Sequence, residues 1–117
     1  MKLQMIGCNH HDAAVEFRER VSFSAEQVDR TLVAFRQQFP SSELVLLSTC
    51  NRVELYTSTN DNEGLDLQSV AGFLAQQHAL TTDEVVDQMI YRSGDDAVKH
   101  LFTVDSIVKF IETKTAA

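Results

Sequence analysis

The segment Leu46-Leu47-Ser48-Thr49-Cys50-Asn51-Arg52-Val53-Glu54-Leu55-Tyr56 decides how the rest of the chain is read. To its left, residues 44–47 are uniformly apolar. To its right, Val53, Leu55 and Thr57 alternate with Glu54, Tyr56 and Ser58, the period-two pattern of a half-buried strand. Small and polar residues separate the two runs, with Cys50 among them and Arg52 just beyond. The pattern predicts two strands, residues 43–48 and 53–58, joined by a tight turn that carries the Cys50 thiol at its tip. Only the thiolate attacks carbonyls, and a neighbouring cation draws the thiol pKa down from about 8.5. A small buried hydrophobe is the commoner fate of a cysteine, and spacing alone leaves both readings open.

Working outward to the N-terminus, Leu3-Gln4-Met5-Ile6-Gly7 reads as a short strand ending at glycine, with Asn9 and His10 just after it. At such a position these two line a polar pocket or simply bond their own backbone in a turn. Ser24-Ala25-Glu26-Gln27 is a capping box, with Phe23 and Val28 placed as its hydrophobic staple. Val28, Leu32 and Phe35 continue the helix as a core stripe that Pro40 closes.

Toward the C-terminus, residues 59–64 have loop composition. Leu67, Val70, Ala71 and Leu74 fall on one helical face, with Asp66 at the start. Gly72 within that helix predicts a close approach of helix to sheet. Thr81-Thr82-Asp83-Glu84 is a second capping box, and Met89-Ile90-Tyr91 a last short strand. A final helix opens at Ser93-Gly94-Asp95-Asp96, acidic in its first turn as the helix dipole favours. Its expected stripe is Ala97, Leu101, Val104, Val108 and Ile111, with His100 on the stripe's edge.

The order strand, helix, strand, strand, helix, strand predicts an α+β fold of the split βαβ kind. The expected architecture is a four-stranded, mainly antiparallel sheet with helices packed on one face. At 117 residues, 44% apolar and 23% charged, the chain suits one domain with a single core. No apolar run reaches the ~20 residues of a membrane span, and the first residues lack the apolar stretch of a signal peptide. Two cysteines, Cys8 and Cys50, make no disulfide framework. These features point to the cytoplasm, with reduced thiols and no membrane partner. The four histidines show no metal-ligand spacing, so no metal is expected. A net charge of -7 without any Lys/Arg block is unlike a nucleic-acid surface.

Three stretches carry a resemblance. Ser48-Thr49-Cys50-Asn51-Arg52-Val53-Glu54 resembles the signature of the glutamyl-tRNA reductases. Gly7-Cys8-Asn9-His10 followed by Val15-Glu16-Phe17-Arg18-Glu19 is similar to that family's opening, with Ala14 where proline is usual. Ala97-Val98-Lys99-His100-Leu101-Phe102 is similar to a helix in which the family places a functional histidine before Leu-Phe. The resemblance implies a ferredoxin-like domain and a specific chemistry. Cys50 would attack the ester carbonyl of glutamyl-tRNA to give a thioester, which NADPH would reduce to glutamate-1-semialdehyde for tetrapyrrole synthesis. It implies Cys50 and His100 as catalytic residues, and Thr49, Asn51, Arg52, Asn9 and His10 as substrate-binding ones. Arg52 is the natural clamp for the substrate carboxylate, because its planar fork binds in two places.

Beyond Val104 the sequence departs from the family. Asp105-Ser106-Ile107-Val108 follows at once, and residues from about 105 to 117 read as a divergent helical tail. No G-x-G-x-x-G follows a strand, so NADPH has no expected site in these residues. The expectation is a single catalytic domain of a short form without NADPH-binding and dimerisation domains. It would bind tRNA weakly alone and at most form the thioester or hydrolyse the ester. Two other readings stand beside it. One is a catalytically incomplete paralogue that binds a full-length reductase or another protein as a regulatory module. The other is a cysteine hydrolase of small esters, which needs His100 or His10 within hydrogen-bond reach of Cys50.

Overall fold

A computed structural model describes residues 2–9, 14–49, 52–59, 65–103 and 115–116. In chain order these form β1 (Lys2–Asn9), α1 (Val15–Val21), α2 (Ala25–Gln38), β2 (Ser42–Ser48), β3 (Arg52–Thr59), α3 (Leu67–Gln77), α4 (Thr82–Gln88), β4 (Ile90–Ser93), α5 (Asp95–Thr103) and β5 (Thr115–Ala116). The sheet order is β4-β1-β3-β2-β5, and every neighbouring pair is antiparallel. The four long strands thus form the expected split βαβ sheet, with β3 inserted between β1 and β2.

Local chemistry explains most of the element boundaries. The Ser24 hydroxyl accepts from the Gln27 N–H while the Gln27 side chain accepts from the Ser24 N–H, so the capping box closes reciprocally at the head of α2. The Asp66 carboxylate accepts from the Ser69 N–H at the start of α3, and the Thr81 hydroxyl from the Glu84 N–H at the start of α4. The buried Gln4 amide on β1 accepts from the Leu65 N–H and donates to the Leu65 carbonyl, tying the head of α3 to the sheet.

Strand alternation sorts the core into two layers. On one face Ile6, Cys8, Leu44, Leu46, Val53 and Leu55 meet Val21, Phe35, Val70, Leu74 and Val85 from the first four helices. Phe35 and Phe73 pack edge-on at 5.4 Å within this layer. On the other face Met5 and Tyr56 meet Ala97 of α5.

Four particulars depart from the sequence-based expectations. Helices were expected on one face only, and α1–α4 obey this, but α5 covers the opposite face. The sheet has an apolar patch there, Met5 and Tyr56, that alternation alone does not assign to a partner. Part of the expected helical tail is strand, since Thr115 and Ala116 pair with Val45 and Leu44 at the free edge of β2. Gly72 meets the Thr82 hydroxyl of α4, 3.5 Å from where a Cβ would lie, rather than the sheet. Gly7 does not end β1, which runs on to Asn9. Val104, Val108 and Ile111 of the expected α5 stripe lie outside the described residues. No helix among the described residues is long and apolar enough to cross a membrane.

Candidate active site

The turn between β2 and β3 is closed by its flanking residues. The Thr49 N–H donates to the Arg52 carbonyl at 2.8 Å, and the Arg52 N–H donates to the Thr49 hydroxyl at 3.3 Å. The Thr49 side chain thus supplies the acceptor that a backbone carbonyl gives in a simple hairpin, and two residues, Cys50 and Asn51, connect the closing pair. Those two and His10 lie outside the described residues. The stem is anchored from the other layer, where the Phe23 N–H donates to the Ser48 hydroxyl at 3.0 Å.

Register then decides which side chains gather below the turn. In the β1–β3 ladder Asn9 opposes Arg52 and Gly7 opposes Glu54. Arg52, Glu54 and Tyr56 share the face that α5 covers. From α5, one turn after Ala97, His100 reaches this row, and its Nε2 lies 2.6 Å from the Glu54 Oε2. The other carboxylate oxygen accepts from the Tyr56 hydroxyl at 3.1 Å, with the Arg52 Nη1 at 4.0 Å. Glu54 is 1% exposed, whereas Arg52 and His100 side chains keep 23% and 19%. A buried carboxyl group is thus surrounded by one hydroxyl, one imidazole and one guanidinium, the last two partly exposed. Burial first, then the Glu54 charge and hydrogen bond, push the Tyr56 phenol far above its ordinary value, so it stays a donor.

The expected site residues therefore divide in two. Asn9, Thr49, Arg52 and His100, which the sequence scatters over ninety positions, are gathered at one end of the sheet. Cys50, Asn51 and His10 are covalent neighbours of these residues, and their own geometry lies outside the described residues. Glu54 and Tyr56 were missed. Both stand in the alternating half of the strand, where a polar residue reads as solvent-facing. The available signal was Gly7, whose missing side chain makes room for something on the next strand.

Comparison with known proteins identifies the family. A family model described as "Glutamyl-tRNAGlu reductase, N-terminal domain" matches residues 6–108. The chain belongs to the glutamyl-tRNA reductase N-terminal domain family. It is 48% identical over 104 residues to a glutamyl-tRNA reductase of Rhodopirellula baltica, a match covering 89% of this chain and 24% of that protein. Its fold is similar to the solved glutamyl-tRNA reductase of Methanopyrus kandleri, with a TM-score of 0.61 and 30% identity over 87% of this chain and 21% of that one. The chain spans about a quarter of the length of these reductases.

Among the described residues no run of glycines fits a nicotinamide dinucleotide. Such a cofactor needs successive glycines opening a helix beneath its pyrophosphate. Here Gly7 is covered by Glu54, Gly72 abuts Thr82, and Gly94 is a single residue of positive φ before α5. Among the described residues no three His, Cys, Asp or Glu side chains converge to hold a metal ion.

Proposed function

We propose that this chain is the acyl-accepting domain of a glutamyl-tRNA reductase, taking the glutamyl group of glutamyl-tRNA onto Cys50. The observation that carries the reading is the juxtaposition beneath the Thr49–Arg52 turn: Arg52 and Asn9 side by side on adjacent strands, and the Glu54–His100 pair on the same face. Cys50 precedes Arg52 by two residues in the chain, and a guanidinium with an imidazole–carboxylate pair on one face suits covalent acyl transfer to such a thiol.

The step proceeds as follows. The Cys50 Sγ attacks the ester carbonyl carbon, and a C–S bond forms as the C–O bond to the tRNA ribose breaks. The thiol proton passes to the His100 imidazole and from it to the departing ribose oxygen, leaving a thioester on Cys50 and a tRNA with its hydroxyl restored. Arg52, partly exposed and only loosely paired to Glu54 at 4.0 Å, offers its fork to a substrate carboxylate. Asn9 and Asn51 supply amide groups for the amino group and carbonyl of the glutamate, and Thr49 and His10 complete the polar rim. Reduction of the thioester to glutamate-1-semialdehyde belongs to the whole reductase, with NADPH held by residues other than these. With water as acceptor the thioester hydrolyses, which makes the isolated chain a slow glutamyl-tRNA esterase. The setting is tetrapyrrole synthesis in the cytoplasm.

The acidic charge of -7 supports weak tRNA affinity for these residues alone, since phosphate contacts need clustered cations. The test is a single-turnover incubation with radiolabelled glutamyl-tRNA, beside Cys50→Ser. Label held covalently on the protein, or glutamate released faster than by the variant, is the expected result. Equal behaviour of the two proteins would overturn the reading in favour of a non-catalytic module that binds another protein.

A further inference from the structure

The chemistry above uses Cys50, Arg52 and His100 and leaves Glu54 without a part. Yet the fold gives this carboxylate unusual provision. It is buried in the centre of the sheet, where an ionised group is costly unless donors meet its oxygens. Tyr56 and His100 meet them, one on each oxygen. The facing strand gives up a side chain to admit it, because a Cβ on Gly7 would lie 2.8 Å from the Glu54 Cγ.

An ionised carboxylate only accepts hydrogen bonds. With Glu54 in that form, the hydrogen in the 2.6 Å contact belongs to the His100 Nε2, and in a neutral ring the lone pair then lies on Nδ1. We infer that Glu54 is a positioning residue: it holds His100 in the Nε2–H form, so that Nδ1 is the atom that handles the proton of acyl transfer. Resting on the Cys50 reading, the step balances with one proton. It leaves the thiol for Nδ1 as the C–S bond forms, and passes from Nδ1 to the ribose oxygen as the C–O bond breaks. Without the carboxylate the ring samples both tautomers and rotates about its side-chain bonds, and the fraction poised for transfer falls. Tyr56 holds the second carboxylate oxygen and so fixes the direction in which the first one points.

The test compares the wild type, Cys50→Ser, Glu54→Gln, Glu54→Asp, His100→Asn and the double variant Glu54→Gln/His100→Asn, all as the full chain. Two quantities are read: the single-turnover rate of glutamyl-tRNA cleavage against protein concentration, and the imidazole nitrogen and low-field proton resonances of His100. The wild type should show a protonated Nε2 with a low-field proton. Glu54→Gln should lose that signal and cleave roughly 10- to 100-fold more slowly, as removal of a partner behind a functional histidine does elsewhere. The concentration dependence should stay within about twofold, Glu54→Asp should recover part of the rate, and Glu54→Gln should cost nothing more when His100 is already Asn. A wild-type His100 protonated on Nδ1, or a Glu54→Gln protein that loses the signal and keeps its rate, would overturn the inference while leaving Cys50 chemistry intact. Equal rates for wild type and Cys50→Ser would instead sink the acyl-transfer reading. The role of Glu54 in transfer falls with it, and the resonances then report only a buried structural pair. If Glu54→Gln does not fold, Tyr56→Phe takes its place: a rate and His100 signal both unchanged would overturn the inference equally.

Discussion

Gly7 and Glu54 occupy one position of the β1–β3 ladder, and each is possible because of the other. A methyl group on Gly7 would stand 2.7 Å from the Val53 carbonyl oxygen and 2.8 Å from the Glu54 Cγ. One of those neighbours is backbone in the middle of a five-stranded sheet and cannot yield cheaply. Gly7→Ala is therefore expected to destabilise the domain by about 1–3 kcal/mol, the usual cost of overpacking a filled interior. Denaturant unfolding measures this, and the loss should come with displacement of the His100 low-field proton. An alanine variant as stable as the wild type would mean that the strands separate freely there.

Tyr56 donates to Glu54 from a buried site. Removing the hydroxyl leaves the carboxylate one donor short, and Tyr56→Phe should cost about 1–3 kcal/mol at neutral pH. The phenol also gives an alkaline signature. Its folded pKa is raised, so above pH ~10, the ordinary tyrosine value, the unfolded chain releases a proton that the folded one retains. Stability is whole below that pH and falls as pH rises through and beyond it. Tyr56→Phe should flatten the fall, as unfolding midpoints between pH 9 and 11 would reveal.

His78 gives the opposite signature, in the helical layer on the other side of the sheet. It follows α3 with its ring 4.4 Å from that of Phe23, and its Nε2 is buried without a hydrogen-bond partner among the described residues. Burial holds its pKa below the usual 6.5, against a smaller opposing effect of a bond to the Val21 carbonyl. The unfolded chain therefore takes up a proton first on acidification. The stability conferred is present above pH ~6.5 and is lost as pH falls below it. His78→Gln should lose less stability than the wild type between pH 7.5 and 5.5, measured by thermal midpoints. Parallel losses in both proteins would place the acid sensitivity elsewhere.

Arg52 tests the carboxylate clamp. Lysine keeps the charge but not the planar fork, so Arg52→Lys should lower single-turnover cleavage about tenfold or more, chiefly through weaker substrate binding. The fold should survive, since the ion pair to Glu54 spans 4.0 Å and the Arg52 side chain is partly exposed. An Arg52→Lys protein with unaltered substrate affinity would show that the guanidinium is not what holds the substrate.

Ser24→Ala removes the hydroxyl of a capping box that is complete in the structure. The expected loss is about 1 kcal/mol, read from denaturant midpoints, with no change in cleavage because α2 lies on the face away from His100.

The caps at Ser24, Asp66 and Thr81, the stripes of α2 and α3 and the two strands flanking Cys50 were legible in the sequence, because each depends on residues a few positions apart. Ser24 with Gln27, Asp66 with Ser69 and Thr49 with Arg52 are bonds of that kind, and the motif at 48–54 carried the family. The face covered by α5, the strand pairing of Thr115 and Ala116, and the burial of Glu54 were not legible. Alternation says that Glu54 and Tyr56 share a face, but a polar residue on an alternating strand reads as wet until another element covers it. Only the β1–β3 register brings Gly7 opposite Glu54, and only the packing of α5 brings His100 onto it from forty-six residues away. Side-chain chemistry is local and was written in the chain; the loss of water around that carboxylate is a property of the assembled layers, and the tertiary structure alone decided it.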